Sequence, residues 1–208
     1  MPDDSGEIYI AGTGSFALEI AEYAVAAGRQ VAGLVELVDS ARVGSRVHDL
    51  DVVAVDNDGG AAGSVVIGLG GDRLGYWSLL AEHGWVAGNV IHPRATVSPS
   101  AVVGDGSIVG PGAILGAACE LGPHSLVGRG ALVGHHARIG AGVTLNPGAN
   151  VAGNAEIAEG AVIGMGALIS NGITVGAGAV VASGAVVVRP VDADTRVQGV
   201  PARVFSPG

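Results

Sequence analysis

Aromatic residues, charged residues and cysteine are all scarce in this sequence. Phe, Trp and Tyr make up only 3% of the 208 residues, so the core must be built from aliphatic side chains. Charged residues amount to 14% against 49% hydrophobic residues, a balance that excludes a disordered chain. The single cysteine, Cys119, cannot form an internal disulfide, which predicts a protein of the reducing cytoplasm.

Features that direct a chain to a membrane or to nucleic acid are also missing. No apolar run approaches the roughly 18 residues of a membrane span. The first residues, MPDDSGEIYI, lack the basic segment and the apolar stretch of a signal peptide. The formal net charge of −9 does not suit a phosphate backbone as partner. We therefore expect no membrane span and no nucleic-acid partner.

Glycine, by contrast, is abundant, and its 37 residues accompany a repeat in the second half of the chain. An aliphatic residue recurs at every sixth position from Val97 to Val187 without a miss. A second, small or β-branched residue comes four positions after each, as at Ala101, Ala113 and Cys119. Glycine often follows the aliphatic residue directly, at Gly104, Gly110, Gly116, Gly122, Gly128, Gly134 and Gly140.

A period of six fits neither a lone helix nor a lone strand, but it is typical of a parallel β-helix of hexapeptide repeats. Each hexad forms a short strand and a corner, and three hexads complete one coil of a triangular prism. The aliphatic and small residues point inward, and glycine near the corner accepts backbone angles that other residues resist. Cys119 is accordingly interpreted as a core residue.

The first half alternates short apolar runs with helical segments. The predicted strands are 7–11, 31–36, 52–55 and 65–68, and the predicted helices run from 16 to 28 and from Asp72 to His83. This alternation predicts a Rossmann-like α/β domain over residues 1–88, followed by the β-helix over residues 89–208. Gly12 and Gly14 lie where the first strand meets a helix. Such a turn either binds a phosphate or is merely tight, and the pattern leaves both interpretations open.

Few residues in the repeat are able to carry chemistry. His135 and His136 follow the aliphatic Val133 by two and three positions, so both are expected to project outward near a corner. Either is a candidate general base, because imidazole exchanges protons near neutral pH, and the alternative is a solvated turn histidine. Zinc chemistry is disfavoured, since adjacent histidines are poor ligands of one metal and His124 does not complete a suitable set. We expect no metal.

The two halves together resemble the bacterial sugar acyltransferases of the sialic acid O-acetyltransferase type, which include UDP-amino-sugar N-acetyltransferases. The segments that carry the resemblance are IYIAGTGSFALEI, VVIGLGG, VIHPRATVSPSAVVG, LVGHHARIGAGVTLNPGANVAGNAEI and VQGVPARV. The resemblance spans roughly residues 7–205. It implies a left-handed β-helix, a homotrimer, and transfer of an acetyl group from acetyl-CoA to the amine of a nucleotide-linked amino sugar.

The resemblance also implies catalytic roles. In the segment VGHHARIG, His135 matches the family's general base, which takes a proton from the acceptor as it attacks the thioester. The backbone N–H of Gly153, one coil further on, matches the donor that stabilises the tetrahedral oxyanion. An acidic residue often follows the base and orients its imidazole. That position is His136 here, which we keep among the catalytic candidates.

Ligand-binding positions follow from the same resemblance. The coenzyme A groove between subunits matches Gly153, Gly164, Met165, Ala182, Ser183, Pro201 and Arg203. Arg203 or Arg196 either pairs with a coenzyme A phosphate or remains a solvated surface cation. The acceptor site in the first domain matches Gly12, Gly14, Ser15, Phe16, Glu36, Asp39, Gly70 and Asp72.

Four positions depart from the family pattern. Phe16 stands where a histidine usually touches the acceptor, and Gly134 replaces an acidic residue before the base. His136 replaces the acidic residue after the base, and Thr144 replaces a second histidine. The base itself remains, so acyl transfer is still expected, but the acceptor is left open. O-acetylation of a sugar or another small metabolite stays an alternative, as does a catalytically silent, ligand-binding trimer.

Overall fold

The computed structural model describes residues 6–56 and 63–205, and the chain divides into two compact units, residues 1–92 and 93–208. In the first unit the elements are β1 (Glu7–Ala11), α1 (Ser15–Ala26), β2 (Gln30–Glu36), a 3-10 helix (Ser40–Arg42), β3 (Arg46–Val47), β4 (Leu50–Ala54), β5 (Ser64–Ile67), α2 (Arg73–Glu82), β6 (Val86–Ala87) and β7 (Val90–Ile91). The sheet has the order β3-β4-β2-β1-β5-β6. Its pairs are parallel, apart from the β3–β4 hairpin.

The predicted strands and helices of this unit are present, with bounds within two residues of those expected. Sequence reasoning missed the two-residue strands β6 and β3, and β3 pairs with β4 through Arg46↔Asp51 and Val47↔Leu50. A two-residue strand in a polar segment has too few positions to show an alternating pattern, and this explains the omission. The sheet is therefore parallel except at this edge.

The turn after β1 lies at the carboxyl-terminal edge of this sheet. Ile8 and Ile10 of β1 are fully buried between the neighbouring strands and α1. The chain then passes Gly12, where φ is 121°, and reaches Gly14, the N-cap of α1. The backbone angle requires glycine, and a Cβ at Gly12 would in addition lie 2.9 Å from the Leu69 side chain. The carboxyl ends of β1 and β2 meet at this edge.

The second unit is a parallel β-helix, and the hexapeptide prediction is confirmed. Its two-residue strands are β8 (Thr96–Val97), β9 (Val102–Val103), β10 (Ile108–Val109), β11 (Ile114–Leu115), β12 (Glu120–Leu121), β13 (Leu126–Val127), β14 (Leu132–Val133), β15 (Arg138–Ile139), β16 (Thr144–Leu145), β17 (Asn150–Val151), β18 (Glu156–Ile157), β19 (Val162–Ile163), β20 (Leu168–Ile169), β21 (Thr174–Val175), β22 (Val180–Val181) and β23 (Val186–Val187). The unit ends in an antiparallel hairpin of β24 (Arg196–Gln198) and β25 (Arg203–Val204).

Three sheets form the walls of the prism. Sheet I holds β8, β11, β14, β17, β20 and β23, sheet II holds β9, β12, β15, β18 and β21, and sheet III holds β10, β13, β16, β19, β22, β24 and β25. Strands of one sheet are related by one coil, as in the pair Leu115↔Val133. We name each corner by the sheets that it joins, so the I–II corner follows sheet I in the chain. Residues 135, 153 and 171 form one column at the I–II corner.

The repeated aliphatic residues form the core of the prism, as predicted. From Val109 to Val187 all of them are buried, whereas Val97 and Val103 in the first coil are half-buried. Cys119 has no exposed surface and lies in this core. Burial raises the pKa of the Cys119 thiol, so the group is held in its uncharged form.

The glycines that follow the aliphatic residues serve a purpose other than the predicted one. Positive φ angles occur two residues later, as at Gly112 and Gly130. At Gly134, which follows Val133, a Cβ would lie 2.4 Å from the backbone nitrogen of Gly153 in the next coil. The prediction that these glycines provide unusual backbone angles is therefore wrong. Glycine suits this position because successive coils stack closely there, although Ala152 and Ala158 occupy the same position in later hexads.

Candidate active site

His135 and His136 lie at the I–II corner, and both side chains are exposed, as expected from the repeat. His136 has a φ of 57°, a left-handed conformation that Ala118 and Asn154 also adopt in the coils on either side. The two imidazole rings meet edge to face, with centroids 5.4 Å apart and Nδ1 atoms 3.2 Å apart. One Nδ1 must donate and the other accept, so the two histidines share one hydrogen bond.

The His135 imidazole lies over Gly153 of the next coil. A Cβ built on Gly153 would be 2.6 Å from Nε2 and 2.7 Å from Cε1 of His135. Atoms that are not bonded do not approach so closely, so only a residue without a side chain leaves the ring in this position. The φ of Gly153 is not in the left-handed region. The space that the His135 imidazole occupies, and not the backbone conformation, therefore explains why residue 153 is glycine.

The two backbone polar groups of Gly153, its N–H and its carbonyl, differ in their hydrogen bonding. Within the described ranges its N–H donates no hydrogen bond, whereas its carbonyl accepts two. The donors are Nδ2 of Asn171 at 2.7 Å and the N–H of Gly172 at 3.0 Å. Sequence analysis missed Asn171, although counting one further coil along the column from Gly153 leads to it. This corner thus combines an imidazole with a backbone donor, the two groups that acyl transfer requires.

Of the positions matched to the coenzyme A groove, Gly153 lies beside His135, whereas four others lie at the III–I corner. Met165 is 58% exposed, and Ser183 lies exposed one coil further along the III–I corner. A Cβ at Gly164 would be 2.5 Å from the nitrogen of Ser183, so close stacking of coils accounts for Gly164. Ala182 precedes Ser183 and is half-buried. The I–II and III–I corners are the two edges of sheet I, so one chain presents these groups on opposite sides of that sheet.

The remaining coenzyme A positions lie in the closing hairpin. Pro201 follows a cis peptide bond after Val200, between β24 and β25. Arg196 in β24 and Arg203 in β25 are both exposed. The Nη1 of Arg203 donates to the carbonyl of Ala202 at 2.9 Å. A planar guanidinium suits bidentate contact with a phosphate.

A polar pocket lies at the carboxyl ends of β1 and β2 in the first unit. It has a volume of about 320 Å³ and is lined by Thr13, Gly14, Glu36, Val38, Asp39, Arg42 and Leu69. Three predicted acceptor-site residues, Gly14, Glu36 and Asp39, therefore come together here, whereas Thr13 and Arg42 were missed. A larger cavity of about 480 Å³ beside α1 is lined mainly by aliphatic side chains. It lacks the converging polar groups that orient a nucleotide.

The other predicted acceptor-site residues do not line this pocket. Ser15 and Phe16 begin α1, where Phe16 is half-buried. Gly12 forms the tight turn after β1, and Gly70 is exposed. Asp72 caps α2, since its side chain accepts a hydrogen bond from a backbone N–H in the first turn. A structural function is thus visible for Gly12 and Asp72.

A chain of hydrogen bonds joins Arg42 in the pocket to the buried carboxylate of Glu36. Thr13 Oγ1 donates to Oε2 of Glu36 at 2.6 Å and accepts from Nη1 of Arg42 at 2.8 Å. The backbone N–H groups of Val38 and Asp39 donate to Oε1 of Glu36 at 2.8 Å and 3.0 Å. Burial by itself raises the pKa of Glu36, but these bonds and Arg42 outweigh it and lower the pKa below its usual value. Glu36 is therefore a fixed anion that holds Thr13 and, through it, Arg42.

Further features bear on metals and membranes. In residues 6–56 and 63–205, no three His, Cys, Asp or Glu side chains lie together as a metal ion requires. None of the helices described here is long and apolar enough to cross a bilayer.

His124, considered above as a metal ligand, is buried at the II–III corner. It therefore belongs to a different corner from His135 and His136.

Comparison with known proteins agrees with this architecture. A family model for the bacterial transferase hexapeptide (six repeats) matches residues 136–171. Perosamine N-acetyltransferase from Caulobacter crescentus, solved with CoA and GDP-perosamine as a histidine variant, is 31% identical, with a TM-score of 0.89 over 97% of this chain and 98% of that chain. The acetyltransferase domain of PglB from Neisseria gonorrhoeae, solved with acetyl coenzyme A, is 30% identical, with a TM-score of 0.84 over 96% and 98% of the two chains.

A third structure extends the set. WeeI from Acinetobacter baumannii is 25% identical, with a TM-score of 0.88 over 96% of this chain and all of that chain (100%). A search of curated protein sequences finds no match. The likeness to the Caulobacter enzyme covers nearly the whole of both chains and includes the residues of both units. The chain therefore belongs to the bacterial hexapeptide-repeat sugar acyltransferases, and it is an acyl-CoA-dependent acyltransferase.

Proposed function

We propose that the protein transfers an acetyl group from acetyl-CoA to the amine of a nucleotide-linked amino sugar by direct attack, with His135 as general base. The observation that carries this proposal is the position of the His135 imidazole over Gly153, whose N–H donates to no other described residue. The relatives at 30–31% identity support it, because one was solved with CoA and GDP-perosamine and another with acetyl coenzyme A.

In the proposed reaction the amine nitrogen attacks the thioester carbon, and Nε2 of His135 takes the proton that the amine loses. The carbonyl oxygen becomes negative and accepts a hydrogen bond from the Gly153 N–H. The carbon–sulfur bond then breaks, and the imidazolium returns the proton to the departing thiolate. The products are the N-acetylated sugar and free coenzyme A, and His135 recovers its starting state.

The experiment that tests this function measures the release of coenzyme A thiol from acetyl-CoA with a panel of acceptors. The panel contains GDP-perosamine, a UDP-4-amino sugar, and the same nucleotides carrying a hydroxyl in place of the amine. We expect turnover with an amino sugar and none with its hydroxyl counterpart. Transfer only to the hydroxyl compounds would instead establish O-acetylation, the alternative that the departure at Phe16 leaves open.

We further propose that the coenzyme lies in a groove between subunits of a homotrimer of left-handed β-helices. Gly153 beside His135 forms one wall, and the opposite wall comes from Gly164, Met165, Ala182, Ser183, Pro201 and Arg203 of a neighbouring subunit, with Arg196 as a second cation near the phosphates. In one chain these groups occupy opposite edges of sheet I. An apolar outer surface on sheet I supports the association, since Ile114 and Leu168 are 43% and 42% exposed. Sheet II exposes Val102 but also the ion pair of Arg138 and Glu156, 3.4 Å apart.

Replacing Leu168 with glutamate is therefore expected to dissociate the trimer, because each interface would bury an unpaired carboxylate. Light scattering after size-exclusion chromatography should change from three times the 20.2 kDa of one chain to the mass of a single chain. Thr174→Glu in sheet II provides the matched control and should leave the trimer intact. If Leu168→Glu remains trimeric while Thr174→Glu dissociates, sheet I is not the interface.

We assign the acceptor nucleotide to the first unit, interpreted as a Rossmann-like domain, with Gly14, Glu36 and Asp39 at its polar pocket. The predicted residues Gly12, Ser15, Phe16, Gly70 and Asp72 surround the same edge of the sheet. Arg42 supports the assignment, because the Thr13–Glu36 pair holds its guanidinium at the pocket. A diphosphate carries the charge that such a cation recognises, and the glycine turn before α1 adds backbone donors.

Replacing Arg42 with alanine is expected to raise the KM for the nucleotide sugar at least about tenfold, because one charged hydrogen-bond partner of the diphosphate is lost. The KM for acetyl-CoA should not change, since the coenzyme binds in the second unit. Steady-state kinetics with each substrate varied in turn measure both constants. The exposed Arg46, which pairs with Asp51 at 2.9 Å, is the control for loss of a surface arginine. An unchanged acceptor KM in Arg42→Ala would contradict this assignment.

A further inference from the structure

We propose that His136 is a positioning residue that selects the tautomer of His135, in the place where an acidic residue often orients the base. This inference rests on the proposed function, in which His135 is the base. The observation behind it is the Nδ1–Nδ1 separation of 3.2 Å between the two rings. His136 accepts the Nδ1–H of His135 with its own unprotonated Nδ1 and carries its proton on Nε2.

The direction of this hydrogen bond follows from what Nε2 of His135 must do. Nε2 is the atom nearest the space that a side chain at Gly153 would fill, so it faces the site where the thioester is expected. A neutral imidazole has one proton. If Nδ1 of His135 accepted the bond, that proton would sit on Nε2 and the base would have no lone pair there. With His135 as donor, the lone pair on Nε2 is free.

The corner holds both rings in this relation. His136 has the left-handed backbone of its column, and its ring meets the His135 ring edge to face. On the other side of the His135 ring, Gly153 has no side chain and so leaves the space that the ring occupies. The stacked positions of the adjacent coils, Ala117, Ala118 and Asn154, carry no titratable side chain. The following strands of sheet II carry the exposed Glu120 and Arg138, and Arg138 is paired with Glu156.

During the reaction the proton from the amine moves to Nε2 of His135, which becomes imidazolium and still donates from Nδ1 to His136. The same proton leaves Nε2 for the thiolate as the carbon–sulfur bond breaks, so no proton is left on His136. A neutral acceptor stabilises the imidazolium less than a carboxylate does. His136 therefore selects the reactive tautomer without adding a negative charge to the site.

The first test removes and restores the acceptor atom. His136→Gly deletes it while tolerating the left-handed backbone, and we expect kcat to fall about tenfold or more, measured with acetyl-CoA and GDP-perosamine. His136→Asn keeps an oxygen acceptor in a residue that adopts this conformation, and its kcat should stay within about threefold of wild type. Ala118→Gly, at the same corner one coil earlier, is the control for altering the turn and should retain full activity.

The second test uses pH. His136→Asp supplies a charged acceptor, which favours the imidazolium, so the acid limb of kcat/KM should move to higher pH by about one unit. A residue that only shapes the turn would leave that limb in place, because aspartate also tolerates a left-handed backbone. An unmoved acid limb together with full activity of His136→Gly would overturn the proposal.

The third measurement needs no acceptor. Imidazole ¹⁵N resonances of the substrate-free protein distinguish protonated from unprotonated nitrogens, and we expect Nδ1–H for His135 with Nε2–H for His136. His136→Gly should show both tautomers of His135. A dominant Nε2–H form of His135 in the wild-type protein would contradict the inference. Failure of the proposed function gives a different result, namely full activity of a variant that lacks His135 altogether.

Discussion

Replacing His135 with alanine is expected to lower kcat for acetyl transfer at least about a hundredfold. The methyl group leaves no atom able to take the proton from the attacking amine, while the Gly153 N–H and both binding sites remain. The KM values should therefore change much less than kcat. Initial rates of coenzyme A release, with both substrates near saturation, measure the effect.

The structural control for this variant is simple, because the His135 side chain is exposed and contacts His136 and Gly153. Unfolding temperature and oligomeric state should equal those of the wild type. His83→Ala, which removes an exposed histidine at the end of α2, should retain full activity. A His135→Ala enzyme with an unchanged rate would mean that another group is the base.

Adding a single methyl group at Gly153 is expected to have an effect of similar size. In Gly153→Ala the new Cβ would meet Nε2 of His135 at 2.6 Å, so the ring must move away. Displacing a catalytic group by about 1 Å costs roughly a hundredfold in rate. The same methyl group also narrows the approach of the thioester to the backbone N–H. Steady-state kcat, measured with acetyl-CoA and a nucleotide-linked amino sugar, tests this prediction.

Stability should hardly change in Gly153→Ala. The φ of Gly153 lies outside the left-handed region, and the equivalent position two coils earlier is already alanine, Ala117. A double variant tests whether the two residues act together. Once His135 is alanine, the additional change at Gly153 should cost much less than it does in the wild type. Full additivity of the two losses would show that Gly153 acts independently of the ring.

The β-helix was predictable from sequence because its periodicity is long and uninterrupted. Sixteen aliphatic positions at one spacing fix which side chains face the core, and the strands begin one residue before each of them. The glycines were misinterpreted for a physical reason. Glycine is needed either for a positive φ or for close approach, and only the coordinates distinguish Gly112, of the first kind, from Gly134, of the second.

The residues of the candidate sites also differ in whether the sequence could predict them. The repeat made His135 a candidate, and the family resemblance then matched His135 and Gly153 to the base and the oxyanion donor. Counting one coil of the repeat agrees with their proximity. Asn171 belongs to that column and was equally accessible. Thr13 and Arg42 were not, because they meet through a loop and a short 3-10 helix that carry no periodic signal. The hydrogen bond between His135 and His136 depends on side-chain torsions, which a sequence pattern does not specify.

A crystal structure of the trimer with coenzyme A tests the central claim most directly, because the claim places a thioester beside one imidazole at one corner of the prism. The account predicts the coenzyme sulfur within roughly 4 Å of Nε2 of His135 and close to the Gly153 N–H, with its chain against Met165 of a neighbouring subunit. Coenzyme A bound with its sulfur far from the I–II corner would contradict the account.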